Sequence, residues 1–161
     1  MGNGGKKLGF GAALWFFLSA SIAVAGECRD DQVLLRGDWG QARFTIELAD
    51  DDAERNHGLM FRDELPKSAG MLFVYPDVSD RIGFWMKNTL IPLDMIFLDE
   101  TGTVRRVHSN AVPHDETPIM GGDGILAVLE INGGMAQSLG ISEGSELRHP
   151  AFAAETAAWP C

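Results

Sequence analysis

The chain has 161 residues, with 13 Lys and Arg against 23 Asp and Glu and a net charge of −10. That length suits one ordinary core. The acidic balance sets the surface against phosphate backbones and anionic lipid, so nucleic acid is not an expected partner.

Residues 1–25 read as a secretory signal peptide. Lys6 and Lys7 form a positive start, residues 8–24 are apolar, and Ala23 and Ala25 supply the small side chains before a cleavage between Ala25 and Gly26. An uncleaved membrane anchor is the alternative, weakened by Gly9, Gly11, Ser19 and Ser21 and by the shortness of the run. Residues 26–161 then form a single β-rich domain with a C-terminal tail, periplasmic or extracellular, with no stable membrane association after cleavage. There are two cysteines, Cys28 and Cys161, near the two ends of that domain. An even count in an oxidising compartment leads to one expected disulfide, with free or intermolecular thiols as the alternative. No Cys-x-x-Cys pair marks a redox-catalytic site.

Residues 33–36 are a short apolar run ended by the turn Gly37-Asp38. Residues 41–49 alternate, with Phe44, Ile46 and Leu48 on one side, as a half-buried strand does. Asp51 followed three residues later by Glu54 is a helix-capping pair. It predicts a helix running to about Phe61, with Gly58 either inside it or at its end and with Met60 and Phe61 turned to the core. Residues 70–75 read as a strand buried on both faces, and residues 76–80 as a loop. Residues 82–88 read as a strand with Phe84, Met86 and Asn88 on one face and Trp85 and Lys87 on the other. Pro92 ends it, and residues 93–99 and 104–112 form a hairpin around Gly102. Residues 113–124 are a polar loop long enough to rim a site. Residues 125–131 are a very apolar strand carrying one charge, Glu130. A helical turn over 135–139, a short strand over 146–149 and an Ala-rich tail with Trp159 close the chain. The expected fold is mainly β, a compact β-sandwich or partly closed barrel with one or two short helices.

The common catalytic and phosphate-binding motifs are absent, and His57, His108, His114 and His149 are scattered. Six methionines (Met60, Met71, Met86, Met95, Met120 and Met135) near an indole would suit Cu(I). Without Met-x-Met or Met-x-x-Met spacing they read as gap fillers, and no cofactor or metal is expected. The chemistry gathers elsewhere. Lys87, Asp94 and Glu130 are ionisable groups in apolar contexts, and Arg62 closes the first helix. A buried carboxylate must be paired, hydrogen-bonded or protonated. One reading brings Arg62, Lys87, Asp94 and Glu130 together with Asn88 and Thr89 in a polar cavity, with Trp85 as an aromatic platform. The other makes them a satisfied structural network.

Five blocks carry a resemblance: Gly58-Leu59-Met60-Phe61-Arg62, Gly70-Met71-Leu72-Phe73, Phe84-Trp85-Met86-Lys87-Asn88-Thr89, Pro92-Leu93-Asp94-Met95-Ile96-Phe97 and Val128-Leu129-Glu130. In order and spacing they resemble the uncharacterised family known as domain of unknown function number 192. The resemblance implies a compact, jelly-roll-like β domain, often exported. It brings no established activity, cofactor or catalytic residue. Three functions stay open. The first is binding of a small polar ligand such as a saccharide at Arg62, Trp85, Lys87, Asn88, Thr89, Asp94 and Glu130. The second is a hydrolase or lyase acting on saccharide or cell-wall material with Asp94 and Glu130 as acid and base. The third is a structural or assembly role with no ligand.

Overall fold

The computed structural model of the chain describes residues 1–2 and 27–161. Apart from its first two residues, the expected signal peptide lies outside the described residues, as do Ala25 and Gly26 at its cleavage point. Among the described residues no helix is long and apolar enough to cross a membrane.

β1 (Gln32–Gly37) and β2 (Gly40–Ala49) form a hairpin. α1 (Asp52–His57) crosses to β3 (Ala69–Ser79), which runs parallel to β2. Then follow β4 (Gly83–Phe84), β5 (Leu93–Asp99), β6 (Val104–Ala111), β7 (Ile119–Met120), β8 (Ile125–Asn132), α2 (Met135–Leu139) and β9 (Glu146–Arg148). Seven strands make one sheet in the order β6-β5-β8-β3-β2-β1-β9, and β4 pairs with β7 in a small second sheet. The two edges of the large sheet approach each other. Val104 N–H donates to the Ser145 carbonyl at 2.8 Å, Leu147 N–H donates to the Gly102 carbonyl at 2.8 Å, and Thr103 bridges Glu146. The sheet is therefore a curled half-barrel, the partly closed form of the two architectures the sequence left open.

Apolar pattern explains the curl. All seven strands contribute to one core, from Val33 and Phe44 through Leu72, Ile96 and Leu129 to Val104 and Leu147. The central strands β3, β5 and β8 carry a second core on their other face, with Met71, Phe73, Met95, Phe97 and Val128. Leu59, Ile82 and Met86, from the segments after α1 and around β4, cover it. Strands buried on both faces read as continuous apolar runs, as β5 does from Leu93 to Leu98.

Several local expectations change. α1 stops at His57, because Gly58 turns to φ 51° and donates its N–H to the Glu54 carbonyl. A Cβ at Gly58 would also lie 3.3 Å from the Phe73 ring. The early stop sends Leu59 into the core, while Phe61 is 63% exposed and not turned inward. β3 continues through Pro76 to Ser79 where a loop was expected. Its pairing with β8 is irregular between Val74 and Ser79, where a residue without an N–H is tolerated. The strand expected over residues 82–88 is regular only at Gly83–Phe84. Beyond it Met86 donates to the Asp115 carbonyl, outside any ladder, and Asn88 turns to φ 54°. The long loop over residues 113–124 contains β7.

The tail lies back on the body. Phe152 is buried in the barrel core, Ala158 N–H donates to the Thr101 carbonyl at 2.9 Å, and Trp159 packs under the Arg36 guanidinium at 4.5 Å. Cys28 and Cys161 are joined in a disulfide across a sequence separation of 133. Closing so long a loop removes about 5 kcal/mol of unfolded-state entropy in the chain-entropy model. The double variant Cys28→Ser, Cys161→Ser is expected to lose up to about that much stability. Urea unfolding with and without reductant checks it: reductant should lower the midpoint of the parent protein and leave that of the variant unchanged.

Candidate functional site

The second core is not completely filled. Between α1, β3, β8 and the β4–β7 pair lies an open pocket of about 500 Å³, in the range that holds a small organic molecule. Its parts come from five places. Arg55 and His57 come from α1, Tyr75 from β3, Phe84 from β4, and Trp85, Lys87 and Thr89 from the segment after β4. Glu130 comes from β8.

Glu130 is the deepest of the pocket's ionisable side chains. It is 4% exposed, and its carboxyl opens on the pocket with no hydrogen bond or ion pair to the described residues. Its place follows from register. Glu130 pairs with Met71 on one side and Met95 on the other, so it shares their face with the second core. Burial pushes its pKa up to about 8, and no cation lies near enough to offset the desolvation. Tyr75 stands on the same face of β3, and burial raises its hydroxyl as well, with Arg55 opposing and Glu130 adding to the shift.

Arg55 holds α1 to this wall. Its guanidinium donates to the Val74 carbonyl at 2.7 Å and to Asp52 at 2.6 Å, and it lies 5.3 Å from the centre of the Tyr75 ring. The opposite rim is built from three loops laced through their backbones. Phe61 N–H donates to the Asn88 carbonyl at 2.8 Å, and His114 N–H donates to the Met86 carbonyl at 3.0 Å. Met86 N–H in turn donates to Asp115 at 2.7 Å. Phe61, Asn88 and His114 all hold positive φ, at 63°, 54° and 64°. Such conformations cost on the order of 1–3 kcal/mol each and persist only where the surroundings impose them. They leave Trp85 49% exposed at the mouth, with the Lys87 ammonium 5.1 Å from its ring centre.

Of the residues expected to converge, Trp85, Lys87, Thr89 and Glu130 do line one pocket. Asn88 supports it indirectly: its side-chain amide donates to Sδ of Met60, which lines the pocket, at 3.7 Å. Arg62 does not join them. It forms a two-pronged pair with Glu47 on β2, and this pair holds the Glu47 carboxyl below its ordinary range. Asp94 is also elsewhere. It pairs with Ile131, one residue on from Glu130, and so faces the barrel core. There its carboxyl accepts from Asn110 N–H at 2.6 Å, Gly134 N–H at 2.8 Å and Ala136 N–H at 2.7 Å, tying β6 and α2 to β5. Asp94 and Glu130 lie on opposite faces of one sheet and cannot serve as an acid–base pair. Arg55, Tyr75 and Arg81 line the pocket without having been singled out in the sequence. Tyr75, the chain's one tyrosine, gave a signal: it shares the parity of Met71 and Phe73 in an otherwise apolar run. Among the described residues no group of three or more His, Cys, Asp and Glu side chains is placed to hold a metal ion.

The model of the family DUF192, described as "Uncharacterized ACR, COG1430", matches residues 34–149. The chain belongs to the DUF192 family. A crystal structure of a protein of unknown function from Novosphingobium aromaticivorans DSM 12444 is similar, with 47% identity and a TM-score of 0.68. That match covers 72% of this chain and 82% of the other. A proposed transcription regulator from Sinorhizobium meliloti 1021 is 40% identical with a TM-score of 0.71, over 76% of this chain and 96% of that one. No curated protein matches.

Two expectations follow. Asp94→Ala strips three backbone N–H groups of their acceptor and should cost at least about 3 kcal/mol, whereas Arg62→Ala, at a partly exposed pair, should cost under about 1 kcal/mol. Urea titrations of the two variants check this contrast. For Glu130, the folded state holds a proton that the unfolded chain releases near its ordinary 4.5, so stability falls as pH rises from there to about 8. Glu130→Gln should remove that slope and leave the protein on the order of 4 kcal/mol more stable than the parent above that window. Melting curves across the window, parent against variant, measure it.

Proposed function

We propose that this DUF192 protein binds a small polar molecule, of monosaccharide or amino-acid size, in the pocket between Trp85 and Glu130. One observation carries the reading: the Glu130 carboxyl is almost wholly buried, has no partner among the described residues, and faces a pocket of about 500 Å³ instead of packed side chains. A carboxyl that opens on a pocket and has no protein partner is placed to bond a ligand there. The exposed Trp85 indole at the mouth adds an aromatic surface, and the backbone lacing of the rim keeps it in place.

Binding is favoured over hydrolysis or elimination. With Asp94 on the other face, Asp52 is the remaining carboxyl on the pocket wall, and it is already paired with Arg55. We propose an exported site of action, to which the Cys28–Cys161 disulfide is suited. No nucleic-acid partner is proposed, in keeping with a net charge of −10, although one relative is named as a proposed regulator of transcription.

A thermal-shift screen of the disulfide-intact protein against monosaccharides, amino acids and small carboxylates tests the reading. A ligand that binds only the folded state must raise the melting temperature. The expected result is a concentration-dependent rise that Trp85→Ala and Glu130→Gln both diminish. Failure of every compound, with Trp85→Ala changing only the baseline stability, would assign the cluster to fold maintenance.

A further inference from the structure

Apart from the Arg55–Asp52 pair, the pocket holds its ionisable groups at different depths. The floor offers a carboxyl, Glu130, at 4% exposure and without a partner among the described residues. Around it stand the aromatic rings of Phe73, Tyr75 and Phe84, with Phe73 and Phe84 edge to face at 4.9 Å. Aromatic faces beside a desolvated carboxyl make an environment for an organic cation. The nearer rim also carries two cations, Arg81 and Lys87, with no carboxylate partner among the described residues. Arg81 is exposed, and Lys87 is half-buried with its ammonium over the Trp85 ring.

Each simple class of ligand uses half of this arrangement. An organic anion would meet Arg81 and Lys87 but would bring a second acid towards Glu130. A simple amine would meet Glu130 but would pass two cations to reach it. We propose that the pocket takes a zwitterion, such as an α-amino acid with an apolar side chain, its ammonium on Glu130 and its carboxylate at Arg81 and Lys87. This rests on the pocket being a ligand site and names the class of ligand. The remaining volume, between Trp85, Met60 and Met120, takes the apolar side chain.

The inference fixes a direction of pH dependence. The groups around Glu130 are Tyr75 on β3, Asp52, Arg55 and His57 on α1, and Arg81 and Lys87 on either side of β4; β5 presents only Leu93, Met95 and Phe97 to that face. Arg55 is engaged with Asp52 and the Val74 carbonyl. Glu130 holds its proton below about pH 8, so an incoming ammonium must expel that proton to form the pair. Affinity should then rise by up to about tenfold per pH unit towards that value, with a proton released to the buffer. A ligand that accepts a hydrogen bond from the protonated acid would show flat affinity up to about pH 8 and a fall above it.

The test is calorimetric titration of the disulfide-intact protein with L-phenylalanine, with phenylpropionate (no ammonium), with phenethylamine (no carboxylate) and with glucose. The expected result is phenylalanine binding at least about tenfold tighter than either truncated analogue. Glu130→Gln should erase its advantage over phenylpropionate, and the pair Arg81→Gln, Lys87→Gln should erase its advantage over phenethylamine. Proton release should appear as a dependence of the heat on the buffer. Phenylpropionate, phenethylamine or glucose binding as tightly as phenylalanine, or phenylalanine affinity flat or falling between about pH 6 and the pKa of about 8, would overturn the zwitterion and leave the ligand site standing. No binding by any of the four would overturn both. Should Glu130→Gln fail to fold, the pH slope of the parent protein and the surface variants decide alone.

Discussion

Three strands buried on both faces set the terms for everything polar that they carry. β3, β5 and β8 lie side by side with apolar cores above and below. A side chain on them has two destinations, and alternation chooses between them. Asp94 and Glu130 occupy diagonal positions on adjacent strands, because Asp94 pairs with Ile131 and Glu130 with Met95. One residue of register therefore separates a carboxyl that staples the fold from one that faces a pocket.

The two carboxyls show how burial is made tolerable in different ways. Asp94 has three backbone N–H donors from β6 and from the start of α2, so its cost is met within the protein. Glu130 has aromatic rings and methionines around it and meets its cost by keeping a proton. Around it the backbone is held in conformations that side chains disfavour, at Phe61, Asn88 and His114. The barrel core on the other face is closed along the seam between β6 and β9, and Asn110, which donates its N–H to Asp94 there, also holds positive φ, at 56°.

Much of the scaffold was legible in the sequence. The alternation of Phe44, Ile46 and Leu48, the unbroken run from Leu93 to Leu98 and the capping pair Asp51 and Glu54 each report a local cause, and each element formed. The site was legible only in part. The compact polar block from Trp85 to Thr89 drew attention to the right rim, and Glu130 stood out as a charge in an apolar strand. Arg62 misled because its partner, Glu47, is distant in sequence and adjacent only once β2 is beside the turn that follows α1. Asp94 misled because the face a strand residue occupies depends on a register that no local pattern encodes. Arg55 and Arg81 gave no signal, since ordinary surface residues become pocket walls only through tertiary packing.

The order of the strands bears on how the chain reaches this state. β1, near the start of the folded region, is flanked on its outer side by β9, near the end, and β9 also meets the turn before β6. No emerging chain can complete that seam until nearly all its residues are present, and contacts so distant in sequence form slowly. The disulfide joins the same two regions. Its thiols meet when the seam has closed, so oxidation seals a finished molecule and gives little guidance to an unfinished one.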